Sequence, residues 1–408
     1  MGLTIPQLAL RRLDALAAIT DVPGTITRTF LSPAMAHATE LVGGWVEAVG
    51  GDVCEDGWGN VIGHFPGTEA GAKTLLLGSH LDTVPNAGKF DGPLGVVVAL
   101  AAMETLAERG VRLPFHVDVA GFSDEEGTRF HSAYLGSGAL AGLLTETDLA
   151  LRDEAGITVR EAVARHQGVE TVSPPAPRYA AGDLLGYIEV HLEQGPVLEQ
   201  KGCALGVVDA IAAQTRLSCS VEGKAGHAGT TPMTMRRDAL AGAAEIVLAV
   251  ERLGRGTPGL VATVGALHVA PGASNVIPAR VHFSVDLRHA DDATLGQARL
   301  AFASEAASIA AARGLQFGSG IVQSSAAVAC SPRWIEALER AIRPDQTDVP
   351  HLVSGAGHDG VTLTRIAPIG MIFVRCRDGL SHHPDEHVEV ADIAAAIAAL
   401  ARFLEQFA

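Results

Sequence analysis

Short apolar runs alternate with stretches of helical period from residue 1 to about 210. Residues 74–78, 115–122 and 186–190 read as buried strands, and 94–109 as a helix between the first two. Strands separated by helices favour a mainly parallel sheet covered on its faces. Residues 8–19 read as an amphipathic helix, and 168–183, with Pro174, Pro175 and Pro177, as a surface loop. From about 212 to 327 the period changes to strict alternation. In residues 280–288, Val281, Phe283, Val285 and Leu287 take one face while Arg280, His282, Ser284, Asp286 and Arg288 take the other; Leu217, Cys219 and Val221 repeat the pattern. Such strands have one wet face and predict an antiparallel sheet, its dry face covered by helices near 236–253 and 292–313. After 330 a strand at 368–374 and a helix at 391–407 return to the first pattern. The expected fold is α/β: a mainly parallel-sheet domain formed by residues 1–211 and 328–408, with an α+β domain, residues 212–327, inserted into it.

The predicted parallel strands end in polar clusters: Ser79-His80-Leu81-Asp82, Ser123-Asp124-Glu125-Glu126-Gly127 and His191-Leu192-Glu193-Gln194-Gly195-Pro196. Ligands bind at the carboxyl ends of strands in open α/β sheets, so these clusters should share one cleft. His80 at a strand end and Asp91 at a helix start are suitable metal ligands, with Asp82 placed to orient the imidazole. Glu125 and Glu126 are adjacent in an extended segment and point to opposite faces. One can therefore ligate while the other acts on a water, the division of labour that metal-assisted hydrolysis needs. His191 and His382 add imidazoles from two further segments. Five separated donors of this kind suit two divalent ions sharing a bridging carboxylate, with Zn²⁺ or Mn²⁺ fitting the mixture of imidazole and carboxylate. Any one cluster alone also reads as solvated loop residues; their recurrence at successive strand ends favours the metal site.

Composition narrows the function. The formal charge of −16, with no basic patch, argues against nucleic acid and anionic lipid as partners. The longest apolar stretch, residues 94–103, is about half the roughly 20 residues of a membrane span. Five cysteines without a C-x-x-C pair suggest a reducing, cytoplasmic setting. Sixteen histidines stand against three Trp and three Tyr, which makes the placement of imidazoles the distinctive feature of the chain.

The runs Gly78-Ser79-His80-Leu81-Asp82-Thr83-Val84-Pro85, Asp91-Gly92, Asp124-Glu125-Glu126-Gly127, His191-Leu192-Glu193-Gln194-Gly195-Pro196, Gly226-His227-Ala228-Gly229-Thr230-Thr231-Pro232 and Ser354-Gly355-Ala356-Gly357-His358-Asp359 span nearly the whole chain. In this order they resemble the amidase/hydantoinase-carbamoylase branch of the M20 metallopeptidases. His191, where carboxypeptidases of that superfamily carry an acidic residue, favours the carbamoylase branch. The resemblance implies a di-metal catalytic domain in which His80, Asp91 and His191 hold one ion and Asp91, Glu126 and His382 the other, with Co²⁺ or Ni²⁺ as further possible occupants. His383 follows His382, and the resemblance puts the ligand at His382. Glu125 is then the general base, and His227 stabilises the oxyanion. Asn275 and Arg288 bind the substrate carboxylate, with Gln194 and His358 near the substrate. For Arg288 the alternation gives independent support, since it lies on the wet face and a guanidinium can bind a carboxylate bidentately. The inserted domain is expected to act as a lid and to pair two copies as a homodimer.

The activity implied is hydrolysis of the terminal ureido C–N bond of a small carboxylated ureide, releasing ammonia and carbon dioxide. Residues 373–376 ahead of Gly379, and the run Asp124-Glu125-Glu126-Gly127-Thr128-Arg129-Phe130, resemble members acting on allantoate in purine catabolism. N-carbamoyl-L-amino acids are the alternative substrates, and dipeptide or acyl-amino-acid hydrolysis the next. A non-catalytic binding protein of this family would usually lack a ligand or Glu125, and all are present.

Overall fold

The computed structural model describes residues 3–408, which form two compact units. One consists of the described residues up to Asp209 together with Cys330–Ala408; the other is Ala210–Ala329.

The centre of the first unit is four parallel strands in the order His116–Phe122, Thr74–His80, Leu184–Leu192 and Ile369–Val374. All but the leading residues of these strands are nearly wholly buried, as expected for parallel strands covered on both faces. The edges are antiparallel. On one side lie Val61–Phe65 and Asp52–Glu55, and on the other Leu205–Ile211, which also pairs with His351–Ser354. The sequence pattern had no signal for Asp52–Glu55, whose four residues are all exposed and lack apolar alternation. The strand read as 74–78 runs on to His80, which carries that imidazole to the strand end.

The apolar run near residue 94 becomes the helix Pro93–Glu108, in which every residue from Pro93 to Met103 is buried. A helix that is apolar on all faces belongs inside a core, and this one packs against Thr74–His80, Leu184–Leu192 and the helices Ile5–Ala17 and Val390–Phe407. Its buried Leu and Val side chains each contribute about 2 kcal/mol of transfer free energy. A Cβ at Gly95 would lie 2.2 Å from the carbonyl oxygen of Val190, so only glycine lets the first turn rest on the strand that carries His191. Among the described residues no helix is long and apolar enough to cross a membrane.

The second unit is an antiparallel sheet in the order Leu267–Ala270, Arg280–His289, Ala213–Glu222 and Gln316–Ser325, with Val261–Thr263 also paired to Arg280–His289. Leu217, Cys219, Val221, Val281, Phe283, Val285 and Leu287 form its core with the helices Ala239–Gly256 and Asp292–Ala312. The first of these helices begins three residues later than the periodicity implies, because Asp238 caps it by accepting from the backbone N–H groups of Leu240 and Ala241. A separate two-stranded sheet pairs Gly226–His227 with Val276–Ile277.

Arg28 ties the N-terminal helix to the site. Its Nε donates to the Leu81 carbonyl at 2.7 Å and its Nη1 to those of Leu16 and Ile19, both at 2.9 Å. Burial brings its pKa down to about 10, against the pull of Asp82 and Asp21. Replacing Arg28 with Met would leave three carbonyls without this donor. The expected loss is about 3 kcal/mol of stability and a melting temperature lower by roughly 3–5 °C, checked by calorimetry; an unchanged transition would remove Arg28 from this role.

Candidate metal centre

The loops after the four parallel strands and the start of the helix Pro93–Glu108 bring together His80, Asp91, Glu125, Glu126, His191 and His382. Ligand-type atoms of His80, Asp91 and His191 lie within 4.8 Å of one another, as do those of Asp91, Glu126 and His382 and those of His80, Glu125 and Glu126. Asp91 belongs to the first two groups, one carboxylate oxygen facing each. His191 Nε2 is 3.3 Å from Asp91 Oδ1 and 3.3 Å from His80 Nε2, while His382 Nε2 is 3.1 Å from Asp91 Oδ2 and 3.6 Å from Glu126 Oε1.

The other ring nitrogens are already committed. His80 Nδ1 lies 3.0 Å from the Asp82 carbonyl oxygen and 3.4 Å from Asp82 Oδ1, and His191 Nδ1 lies 3.1 Å from the Leu192 carbonyl. With Nδ1 of each ring against a carbonyl oxygen, Nε2 is the nitrogen left to serve the group shared with Asp91. Bonds of about 2.0–2.1 Å in a tetrahedral shell separate neighbouring ligand atoms by roughly 3.3 Å. The observed spacings, and a donor set of imidazole and carboxylate, fit divalent cations.

The charge balance points the same way. Asp82, Asp91, Asp124, Glu125, Glu189, Asp359 and Glu386 are all buried in this unit. Burial raises the pKa of Glu125 well above the usual carboxylate range; His80 opposes this, and Glu126, Asp359 and Asp82 add to it. Glu126 is pushed up to about 7, also chiefly by burial. Burial works against the charge on Asp91 too, yet the hydrogen bond from His382 and the positive field of His191, His80 and His382 hold it well below the usual range. His382 is raised to about 9, first by its hydrogen bond to Asp91. At His80 burial disfavours protonation, but Asp82, Glu125 and Glu126 outweigh it and lift the pKa well above the usual imidazole value. His191, by contrast, is lowered to about 4 by burial.

Asp82 does more than orient His80. Its Oδ1 accepts from the Glu125 N–H at 2.9 Å and its Oδ2 from the Glu126 N–H at 3.1 Å, which fixes both glutamates. Gly92 has φ +80, and a Cβ there would meet the His80 ring at 2.4 Å, so the residue after Asp91 has to be glycine. Gln194, at φ +55, turns its amide onto Asp91 at 3.2 and 3.3 Å and onto Ser381 Oγ at 3.2 Å. His382 has φ +56. Two non-glycine residues in the left-handed region at one site is strain of the kind that collects where geometry serves function. His358 is buried, with Nε2 2.7 Å from Ser354 Oγ and its ring centroid 4.4 Å from that of His191.

Glu386 is the residue that sequence reasoning missed. Its Oε1 accepts from the backbone N–H groups of Phe90 and Asp91 at 2.8 and 3.0 Å, and its Oε2 from Ser381 Oγ at 2.9 Å; Ser381 Oγ also lies 3.0 Å from Asp91 Oδ2. In sequence it is one of several acidic residues after His382, and only its spacing of four from that candidate ligand could have drawn attention to it.

His227, Asn275 and Arg288 belong to the second unit. His227 Nδ1 accepts from the Gly229 N–H at 3.1 Å, and the Asn275 carbonyl accepts from the Ala228 N–H at 2.9 Å across the small sheet. Arg288 lies on the polar face of its strand, beside Asp286.

Residues 76–406 match peptidase family M20/M25/M40, and the chain belongs to that family. Within it, the chain is 39% identical to allantoate deiminase 2 of Glycine max over 97% of its own length and 88% of that protein. It is 41% identical to an N-carbamoyl-L-amino acid amidohydrolase of Geobacillus stearothermophilus over 92% of each. A crystal structure of an amidase of the hydantoinase/carbamoylase family from Burkholderia multivorans superposes with a TM-score of 0.91 at 35% identity, covering 98% of this chain and 97% of that one.

Glu386→Ala should weaken divalent-metal binding by about 10–100-fold, the usual effect of removing a group that holds a ligand in place. Chelator competition measures it; unchanged affinity would argue that Asp91 needs no such support.

Proposed function

We propose that the protein hydrolyses the terminal ureido C–N bond of a small carboxylated ureide, with allantoate as the preferred substrate. The observation that carries this reading is the pair of ligand triads sharing Asp91, with Glu125 beside them; the similarity to allantoate deiminases supports the substrate. His80, Asp91 and His191 would hold one divalent ion and Asp91, Glu126 and His382 a second, Zn²⁺ or Mn²⁺ suiting the donors best. The chemistry that such ions supply when bound is Lewis acidity, at the substrate carbonyl and at the attacking water.

Glu125 takes the proton of that water as it attacks the ureido carbon. Burial raises the pKa of this carboxylate and so makes it the better proton acceptor, and the carboxyl so formed passes the proton to the departing ammonia nitrogen as the terminal C–N bond breaks. Overall one water is consumed: breaking the terminal C–N bond releases ammonia and leaves a carbamate, whose own C–N bond then breaks to release carbon dioxide and leave an amine on the substrate. Asp82 holds Glu125 and Glu126 in register through their backbone N–H groups, and Gln194 steadies Asp91. On this reading His227 stabilises the oxyanion, while Asn275 and Arg288 hold the carboxylate, for which a planar guanidinium fork is well suited. An anionic substrate approaching a chain of formal charge −16 needs such an anchor.

The second unit is proposed to serve as lid and as the contact between two copies of the chain, supported by its exposed strand Gln316–Ser325 at the end of the sheet. The five cysteines, all free, suit a cytoplasmic setting. N-carbamoyl-L-amino acid hydrolysis is a second reading, favoured by the 41% identity to an enzyme of that name.

Glu125→Gln should retain bound metal and lose turnover by about 10²–10⁴-fold, followed by metal analysis and ammonia release; near-normal turnover would remove the base assignment. With allantoate, N-carbamoyl-L-amino acids and dipeptides assayed side by side, allantoate should give the highest kcat/KM. A preference for carbamoyl amino acids would select the second reading, and dipeptide cleavage without ammonia would overturn both.

A further inference from the structure

The polar face of the second unit's sheet holds a charge cluster around Asp286. The Asp286 carboxylate accepts from Arg288 Nε at 2.9 Å on Oδ1 and from Arg288 Nη2 at 3.0 Å on Oδ2. The same Oδ2 takes Arg216 Nε at 3.0 Å and Gln214 Nε2 at 2.8 Å. These contacts follow from the strand register, in which Asp286 lies directly opposite Arg216 and Arg288 opposite Gln214. Arg216 is itself held from its far side, its Nη1 donating to Gln323 Oε1 at 3.0 Å on the next strand.

Arginine has a long, rotamer-rich side chain whose ordering on binding is costly. A pair of parallel N–H···O bonds to a carboxylate two residues away on the same face removes most of that freedom beforehand. Two guanidinium groups side by side would repel each other; Asp286 between them cancels one charge, so the cluster keeps a net charge of +1 and remains attractive to a single carboxylate. Partial burial opposes ionisation of Asp286, but the hydrogen bonds from Arg288 and Arg216 more than offset this and lower its pKa, so the clamp is ionised throughout the neutral range.

We propose that Asp286 is a positioning residue for substrate selection, setting the orientation of Arg288 so that its guanidinium recognises the carboxylate of the ureide, with Arg216 and Gln214 fixing Asp286 in turn. The proposal rests on the reading of Arg288 as carboxylate anchor given under Proposed function. Asp286 touches neither substrate nor ions and acts through Arg288.

The test compares kcat/KM for whichever of allantoate and an N-carbamoyl amino acid the wild type turns over faster with that for its carboxamide, in which the carboxylate is replaced by a neutral amide. Wild-type enzyme should favour the carboxylate. Asp286→Asn should raise KM for the carboxylate at least about ten-fold and lower the carboxylate-to-carboxamide ratio by a similar factor, whereas a folding defect would depress both substrates equally and leave the ratio alone. Arg216→Met, which removes one donor from the clamp, should lower the ratio about three-fold and decides the matter should Asp286→Asn not fold. A ratio unchanged in the folded variants overturns the proposal. If wild type and Arg288→Lys alike show no preference for the carboxylate, the anchor reading itself fails, and the role of Asp286 with it.

Discussion

The structure depends on concentrating negative charge where water cannot reach it. Asp82, Asp91, Asp124, Glu125, Glu189, Asp359 and Glu386 are buried in one unit, and an isolated carboxylate in such surroundings is costly unless paired or neutralised. Some are satisfied by backbone N–H groups, as Asp82 is by Glu125 and Glu126 and Glu386 by Phe90 and Asp91. Others lean on imidazoles. Asp91 faces two of them at 3.3 and 3.1 Å and is held well below the usual carboxylate range as a result. The parallel strands supply the rigidity that this arrangement requires, since their buried, hydrogen-bonded ends cannot move apart to let solvent relieve the charge. Divalent cations are the natural complement to such a cluster.

Much of this was legible in the chain. Parallel strands separated by a buried helix leave their carboxyl ends on one side, so His80, Glu125, Glu126 and His191 could be expected to meet. The alternation in residues 280–288 likewise separated core from polar face, and the core of the second unit follows it residue by residue. What the pattern could not carry were interactions specified by geometry rather than by residue type. Glu386 is one acidic residue among several until its two oxygens are seen on the backbone of Asp91 and on Ser381. Gln194 could be expected near a substrate, but its grip on Asp91 depends on a left-handed backbone that sequence does not announce. The exposed strand Asp52–Glu55 escaped because it exists through pairing with Val61–Phe65, with no apolar stripe of its own.

Membership of the M20/M25/M40 family and the local chemistry bear on different questions. Family membership is shared by proteins whose names point to different substrates. Selectivity has to come from groups outside the ligand triads. The polar face of the second unit is where this chain places guanidinium, carboxylate and amide groups in one hydrogen-bonded cluster, chemistry that suits recognition of a charged group rather than bond cleavage.

The first unit is discontinuous in sequence. Asp91 and the Ser381-His382 pair are in direct contact although 290 residues separate Asp91 from Ser381, and the whole second unit lies between them. A cation held by both Asp91 and His382 would therefore close a loop of nearly three hundred residues, as a disulfide closes one by covalent linkage. During synthesis on the ribosome that loop can close only after the inserted unit has emerged, which would make capture of such a cation a late event in folding.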